Sequence, residues 1–509
     1  MPRRLVSLIL VAYAVIACQP STASPGTATP SASTRTGGVL RVALGADVDP
    51  LDARANDADT LSVRRQVFET LVDYEPGGLR LLGGLAASWS VAPDGLTWSF
   101  SLRRGVKLHD GRDLDAATVA ASLDRARRSR GELAIISAVA AKDASTLTVT
   151  TAAPYGPLLA LLATRSAEIS GTDPAVGTGP FRFSPGLAGR SGEISLERNP
   201  AYWDRDRAGT PLPYLDRILF RTVRDEGSRL AELRSGGVDV VRDISLAQLA
   251  AVKADPSLAV AARPGRSIAF LGVSTAGGPL ERIELRRAVA SAIDRARLAS
   301  AVYAPDLHVA SQLLPAGIVG YDDSVLEFAR YDVTGAKRSM SDAGFGGGVS
   351  VDLWYPRAWS TLFPEPRRVA DGIAMDLAKI GVQVTLRSGD PATYRTDARA
   401  NRFALWLDEI AAEIADADAY LGADAAALAR TVVDSADPVT AELLRRARAE
   451  PDVSKRGELY KQVSKLVQQE VTRVPLFTAD GHAALSGRIR GFAPRPIGPD
   501  ALGTVWIGK

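Results

Sequence analysis

The chain has 509 residues, with 61 Lys and Arg against 58 Asp and Glu, three His and one Cys. At 46% hydrophobic, 23% charged and a mean hydropathy of +0.01 it reads as a globular chain of about three domain-sized units, neither disordered nor a multi-span membrane protein. A net charge of +3 from evenly spread basic residues excludes nucleic-acid binding by bulk charge, and a single Cys excludes an internal disulfide, a Cys-based zinc site and a Cys-ligated iron–sulfur cluster.

In chain order, residues 1–17 come first: Arg3 and Arg4, then an apolar run over 5–17 that ends in a small residue. These are the parts of a secretory signal peptide. The run is short for a hydrocarbon core, which takes about 20 residues. Val15-Ile16-Ala17-Cys18 resembles a bacterial lipobox. That resemblance implies cleavage before Cys18, lipidation of Cys18, and an exported body anchored by lipid to the outer face of the cytoplasmic membrane. Residues 18–38 then form the lipidated Cys and a Ser/Thr/Ala/Pro tether without apolar periodicity, which cannot bury a core. Cleavage removes Arg3 and Arg4, so the basic excess falls to 59 against 58 and implies no acidic partner.

The body alternates strand and helix patterns. Residues 39–44 read as a short apolar strand. Val63, Val67, Phe68, Leu71 and Val72 fall at helical spacing, which predicts a helix over 60–74. Trp98, Phe100 and Leu102 alternate with polar residues after the Pro93-Asp94-Gly95 turn, which predicts a hairpin over 89–102. A helix follows over 116–128, with Val119, Leu123 and Ala126 inward. Leu285, Ala288, Val289, Ala292 and Ile293 mark another helix face. Val349, Val351 and Leu353 form a strand, Val369, Ile373 and Leu377 a helix, and Val382, Val384 and Leu386 a second strand beyond Gly381. Strand, helix and strand at that spacing predict a parallel pair with a right-handed crossover. Leu459, Val463, Leu466 and Val467 mark a late helix. The fold class is α/β with antiparallel hairpins.

Ten sequence blocks run in order: QVFETLV (66–72), GLAASW (84–89), DGLTWSFSLR (94–103), GVKLHDG (105–111), GTGPF (177–181), ERNPAYW (197–203), LRSGGVDV (233–240), LRRAVASAIDR (285–295), Tyr331-Asp332 with AGF (343–345), and VPLF (474–477). Together they resemble the large extracellular solute-binding proteins of ABC importers, the peptide/nickel/oligosaccharide-binding family. The resemblance implies a two-lobed, periplasmic-binding-protein-like fold of type II with a hinge. By that analogy lobe I is built from 37–68, 179–268 and 488–509, with an extra subdomain at 69–178, and lobe II is 269–487. It further implies a monomer that takes a small-molecule or peptide ligand, hands it to ABC permease subunits in the membrane, and uses no cofactor, metal or nucleic acid.

Most residues in these blocks have plain physical readings. Trp89, Trp98, Phe100 and Trp203 fit core packing better than ligand stacking, and His109, beside the Asp110-Gly111 turn, fits a structural hydrogen bonder better than a metal ligand. In peptide-binding relatives an acidic residue just ahead of an Asp-Pro-Asp-like run pairs with the ligand's amine. Aligning Asp416-Ala417-Asp418 with that run puts Glu413 at the amine position, with Asp416 and Asp418 beside it. The segment departs from the family in Ala417 and in the Glu itself, and a register slip brings Asp408 or Glu409 forward instead. A solvated acidic face is the other reading. Trp354, Tyr355 and Trp359 follow the 349–353 strand, where the strand's end opens toward a cleft. Asn56, Asp57 and Asp59, after the first strand, face it from the other lobe. G-x-S-x-G, P-loop, H-E-x-x-H and G-x-G-x-x-G patterns are absent, which leaves an anchored hydrolase of dispersed residues as a remote enzyme class. A surface sensor or interaction protein that has lost transport-type binding is the nearer alternative to a transport receptor.

Overall fold

A computed structural model describes residues 35–184, 192–302, 307–325, 330–357, 360, 362–390, 393–400, 402–422 and 437–508. Residues 1–34, which hold the expected signal peptide, Cys18 and most of the expected tether, and Trp359 lie outside the described residues.

Val39–Leu44 is apolar at all but one position because it lies inside a sheet, parallel to Arg217–Thr222 on one side and Val240–Val241 on the other. The full order of this seven-stranded sheet is Leu258–Arg263, Gly481–Ser486, Val240–Val241, Val39–Leu44, Arg217–Thr222, Glu193–Arg198 and Phe181–Phe183. Helix Ala58–Val67 packs Val63 and Val67 against Leu40, Val42 and Phe220 of the sheet. Its start is fixed by Asp57, which accepts from the Thr60 amide at 2.7 Å.

The helix stops at Val67 instead of running to 74, and Val72–Tyr74 forms a strand with Leu81–Gly83. The cause is a crossing segment: the Gly179 amide donates to the Val67 carbonyl at 2.9 Å. Only glycine fits at 177, where a Cβ would lie 2.0 Å from the Val67 oxygen. Hydrophobic periodicity over 60–74 therefore belongs to two elements.

A four-stranded antiparallel sheet, Ala86–Val91, Thr97–Leu102, Thr146–Thr151 and Ile136–Ala141, contains the predicted hairpin. Helix Ala116–Ser129 covers it, burying Val119 and Leu123 on Trp98, Phe100, Leu147 and Val149. The Trp98 and Phe100 side chains are core, as their alternation predicts.

The second large sheet has six strands in the order Leu307–Val309, Arg473–Ala479, Ser267–Val273, Leu405–Ala411, Val349–Pro356 and Val382–Gly389. Its last two strands are parallel and joined through helix Pro366–Ala378, the predicted βαβ unit. Val369, Ile373 and Leu377 of that helix bury against Leu353 and Val382. Helix Ile283–Ala292 packs into the same core, and helix Val453–Glu470 into a neighbouring one.

The chain passes between the two large sheets at 264–266 and again at 480. The boundaries expected at 268 and 487 differ from this: 268 cuts through Ser267–Val273, and 487 assigns Gly481–Ser486 to the wrong sheet, since that strand pairs with Leu258–Arg263. Alternating apolar residues on both sides of Asp480 gave no sign that the two adjacent strands part company there. No helix among the described residues is long and apolar enough to cross a membrane.

Candidate functional site

A cavity of about 240 Å³ opens between the two halves of the molecule. Leu61, Arg65 and Thr70 line it from the seven-stranded side, Arg165 and Glu168 from the four-stranded unit, Arg266 and Glu413 from the six-stranded side, and 495–499 from the C-terminal segment. Four arginines thus meet two carboxylates. Arg65 stands in the last turn of helix Ala58–Val67 and shares the Asp73 carboxylate with Arg495. Burial pushes the Asp73 carboxyl up, but the two guanidiniums more than offset that and hold it below its ordinary range. Burial, then the neighbouring Arg65, lowers Arg495. Glu168 is bound by Arg64 at 2.7 Å. Glu413, in the turn after Leu405–Ala411, lies 3.4 Å from Arg165, which is also 3.5 Å from Glu132. Arg266 sits at the crossing between the sheets, donates to the Ala316 carbonyl, and is pushed down by burial.

Direct contacts join the halves around this cavity. The Tyr74 hydroxyl accepts from the Ala415 amide at 3.0 Å, and the Gly156 amide donates to the Arg448 carbonyl at 2.7 Å. A Cβ at 156 would lie 2.0 Å from the Glu450 carbonyl oxygen, so glycine is needed for this approach.

Of the candidate ligand residues, Glu413 alone lines the cavity among the described residues. Asp416 and Asp418 point into the neighbouring core, contrary to the expectation. Arg456 grips Asp416 through Nε at 3.0 Å and Nη2 at 2.9 Å. Asp418 accepts from Arg448 at 3.0 Å and from the Tyr460 hydroxyl at 2.9 Å. Both carboxylates are buried and pin the segment to helices Pro438–Ala449 and Val453–Glu470. Alternation along Val349–Pro356 separates Trp354 from Tyr355. Trp354 stacks on Phe403 at 4.4 Å, while Tyr355 packs toward the other core under Arg367. Neither reaches the cavity. Asn56 is exposed, Asp57 caps the helix, and Asp59 accepts from the Gly45 and Ala46 amides at 2.7 and 2.9 Å. Trp359 lies outside the described residues.

A second cavity of about 200 Å³ lies on the other side of Arg65, Asp73 and Arg495. On its wall Glu69 accepts from the Tyr202 hydroxyl at 3.0 Å and from Trp203 Nε1 at 3.1 Å. Burial raises this carboxyl from 4.5 to about 7, against the hydrogen bonds that lower it. Trp203 is packed at the rim of the four-stranded core, so its ring is structural, though its indole N–H holds a carboxylate. His109 is likewise structural: Nδ1 accepts from the Gly177 amide at 3.2 Å, which leaves Nε2 to donate to the Gly179 carbonyl at 3.0 Å. No group of three His, Cys, Asp or Glu among the described residues is arranged to hold a metal.

The sequence reading missed the arginines. Residues 65, 165, 266 and 495 belong to no common motif, and each looks like an ordinary polar position in its own element. Only the packing of four separate segments brings them together.

Residues 80–427 match the model of the bacterial extracellular solute-binding proteins, family 5, and the chain belongs to that family. It is 27% identical to heme-binding protein A of Haemophilus influenzae, over 86% of this chain and 86% of that one. It is 26% identical to the dipeptide-binding protein of Escherichia coli, over 85% of this chain and 87% of that one. Among solved structures, HbpA2 of Haemophilus parasuis superimposes with a TM-score of 0.84 at 25% identity, covering 93% of this chain and all of that one. The fold is thus the two-lobed type II periplasmic-binding-protein fold.

Proposed function

We propose that this family 5 solute-binding protein captures a peptide-sized solute in the cavity between its two halves and delivers it to an ABC permease, without chemistry on the ligand. The observation that carries this reading is that one cavity takes its walls from every part of the chain that meets at the cleft, and that Glu413 is on one wall. A solute there touches both halves and so favours their closed arrangement over any open one. Glu413 supplies a carboxylate for the solute's amine, with which Arg165 competes across the 3.4 Å contact. The name of one relative speaks of heme. The described lining of this cavity has no His, Cys, Met or aromatic side chain, so it offers neither an axial ligand nor an apolar slot for a porphyrin. The names of the dipeptide-binding relatives fit it better. Lipidation at Cys18 would hold the receptor beside its permease.

Native mass spectrometry of the protein purified from its host tests the reading. It should retain one non-covalent solute, and peptides of that size should raise the thermal midpoint of stripped protein. A second reading, a surface sensor or interaction protein, is favoured by the fact that Arg165 already occupies Glu413. It expects no retained solute and no shift with any peptide.

A further inference from the structure

Glu69 is the only charged residue in the run 66–72, and the fold buries it to 8% exposure. A buried carboxylate is ordinarily held by a cation, because neutral hydrogen bonds do not replace all the water it loses. Glu69 forms no ion pair among the described residues. Its oxygens accept from the Tyr202 hydroxyl at 3.0 Å and the Trp203 indole N–H at 3.1 Å, two neutral donors for about four lone-pair sites. Arg65 and Arg495, on the same wall, are both engaged by Asp73, and Arg65 acts on Glu69 only from farther off. Arg103 lies over the Trp203 ring at 4.6 Å and donates to the Gly84 and Gly83 carbonyls at 2.6 and 3.0 Å.

The cavity of about 200 Å³ beside Glu69 has walls that suit an organic cation. Asp204 lines it as well, and burial raises that carboxyl as it raises Glu69. Glu69, Asp73 and Asp204 thus face Arg65 and Arg495, three carboxylates against two guanidiniums, which leaves one positive charge wanting. The Tyr74, Tyr202 and Trp203 rings and the Leu82 and Leu212 side chains complete an apolar lining. Ring faces attract a cation, and aliphatic walls suit a carbon chain attached to it. The volume is below the roughly 300 Å³ at which pockets for drug-sized ligands begin, so the guest has only a few carbons.

We propose that this cavity is a second binding site, apart from the cleft, for a small aliphatic ammonium ion held by Glu69 beside the Tyr202 and Trp203 rings. Its walls come from the seven-stranded side and from residues 69–84, with none from the six-stranded sheet, so the ion seats in one half whatever the cleft binds. The ammonium donates N–H to the Glu69 oxygens, and each charge offsets the other's burial. Glu69 accepts it only when ionised. Burial holds this carboxyl at about 7 against the hydrogen bonds from Trp203 and Tyr202, whereas an alkyl amine stays protonated to about pH 10. Affinity therefore rises as pH climbs through about 7 and levels off above it.

Titration calorimetry of the full chain at low salt, with propylamine and the uncharged 1-propanol, tests this. Propylamine is expected to bind and 1-propanol not, with an affinity about tenfold higher at pH 8 than at pH 6. Glu69→Gln should weaken propylamine at least about tenfold, with an unchanged circular dichroism spectrum. The pH profile reads the same group in wild type should that variant misfold. No propylamine binding, equal binding of 1-propanol, or an affinity flat from pH 6 to 8 overturns the site. Binding that survives in folded Glu69→Gln but is lost in Glu413→Gln places the ion in the cleft and overturns it too.

Discussion

Carboxylates a few residues apart have opposite roles here, and burial separates them. The Glu413 side chain is 45% exposed beside the cavity, whereas Asp416 is buried with Arg456. Glu413→Gln should weaken amine-bearing ligands about tenfold, the worth of a charge-assisted hydrogen bond, while leaving the thermal midpoint unchanged. Asp416→Ala should do the opposite. It strands the buried Arg456 guanidinium, which costs about 3–5 kcal/mol of stability in a denaturant titration, with little change in ligand affinity. Unchanged stability in that variant would mean that the pair is not buried as described.

Glu69 carries a pH signature. Its pKa rises from 4.5 to about 7 on folding, so the folded state binds the proton more tightly than the unfolded state. The stabilisation is fully present below pH 4.5 and is lost as pH climbs through about 7; a shift of this size corresponds to about 3 kcal/mol. Chemical denaturation between pH 5 and 7.5 should therefore show a fall in stability that Glu69→Gln removes. A wild-type profile no steeper than that of the variant would contradict the burial of this carboxyl.

At the scale of elements, sequence patterns found what local physics decides. The βαβ unit over 349–389 was readable because its apolar residues change period from two to 3.6 and back, with Gly381 at a φ of +84° marking the turn. The hairpin at 86–102 was readable for the same reason. The helix predicted over 60–74 failed because the chain at 177–179, over a hundred residues away, claims the Val67 carbonyl. Trp354, Tyr355 and Trp359 read as a pocket because they follow the 349–353 strand toward its cleft-facing end, but the strand runs on to Pro356 and its alternation sends Trp354 and Tyr355 to opposite faces. In the candidate site, Glu413 was legible through its offset from Asp416-Ala417-Asp418. The arginines were not, because tertiary packing alone assembles them.

At the scale of the molecule, the account requires the two halves to close on each other without a side chain at 156. Gly156→Ala puts a methyl against the Glu450 carbonyl, where 2.0 Å is available. The halves should be held apart, with a larger radius of gyration by small-angle scattering, weaker solute binding, and each half still folded by circular dichroism. A radius equal to wild type would show that the contact at Arg448 does not govern closure.

The central claim is that one solute touches both halves at once. Hydrogen exchange on the full chain, compared with and without the solute that co-purifies from the host, tests it most directly. The account predicts slowed exchange at 163–168, at 411–415 and at 495–500 together. Protection confined to one half, or lying outside these segments at saturating solute, would contradict it.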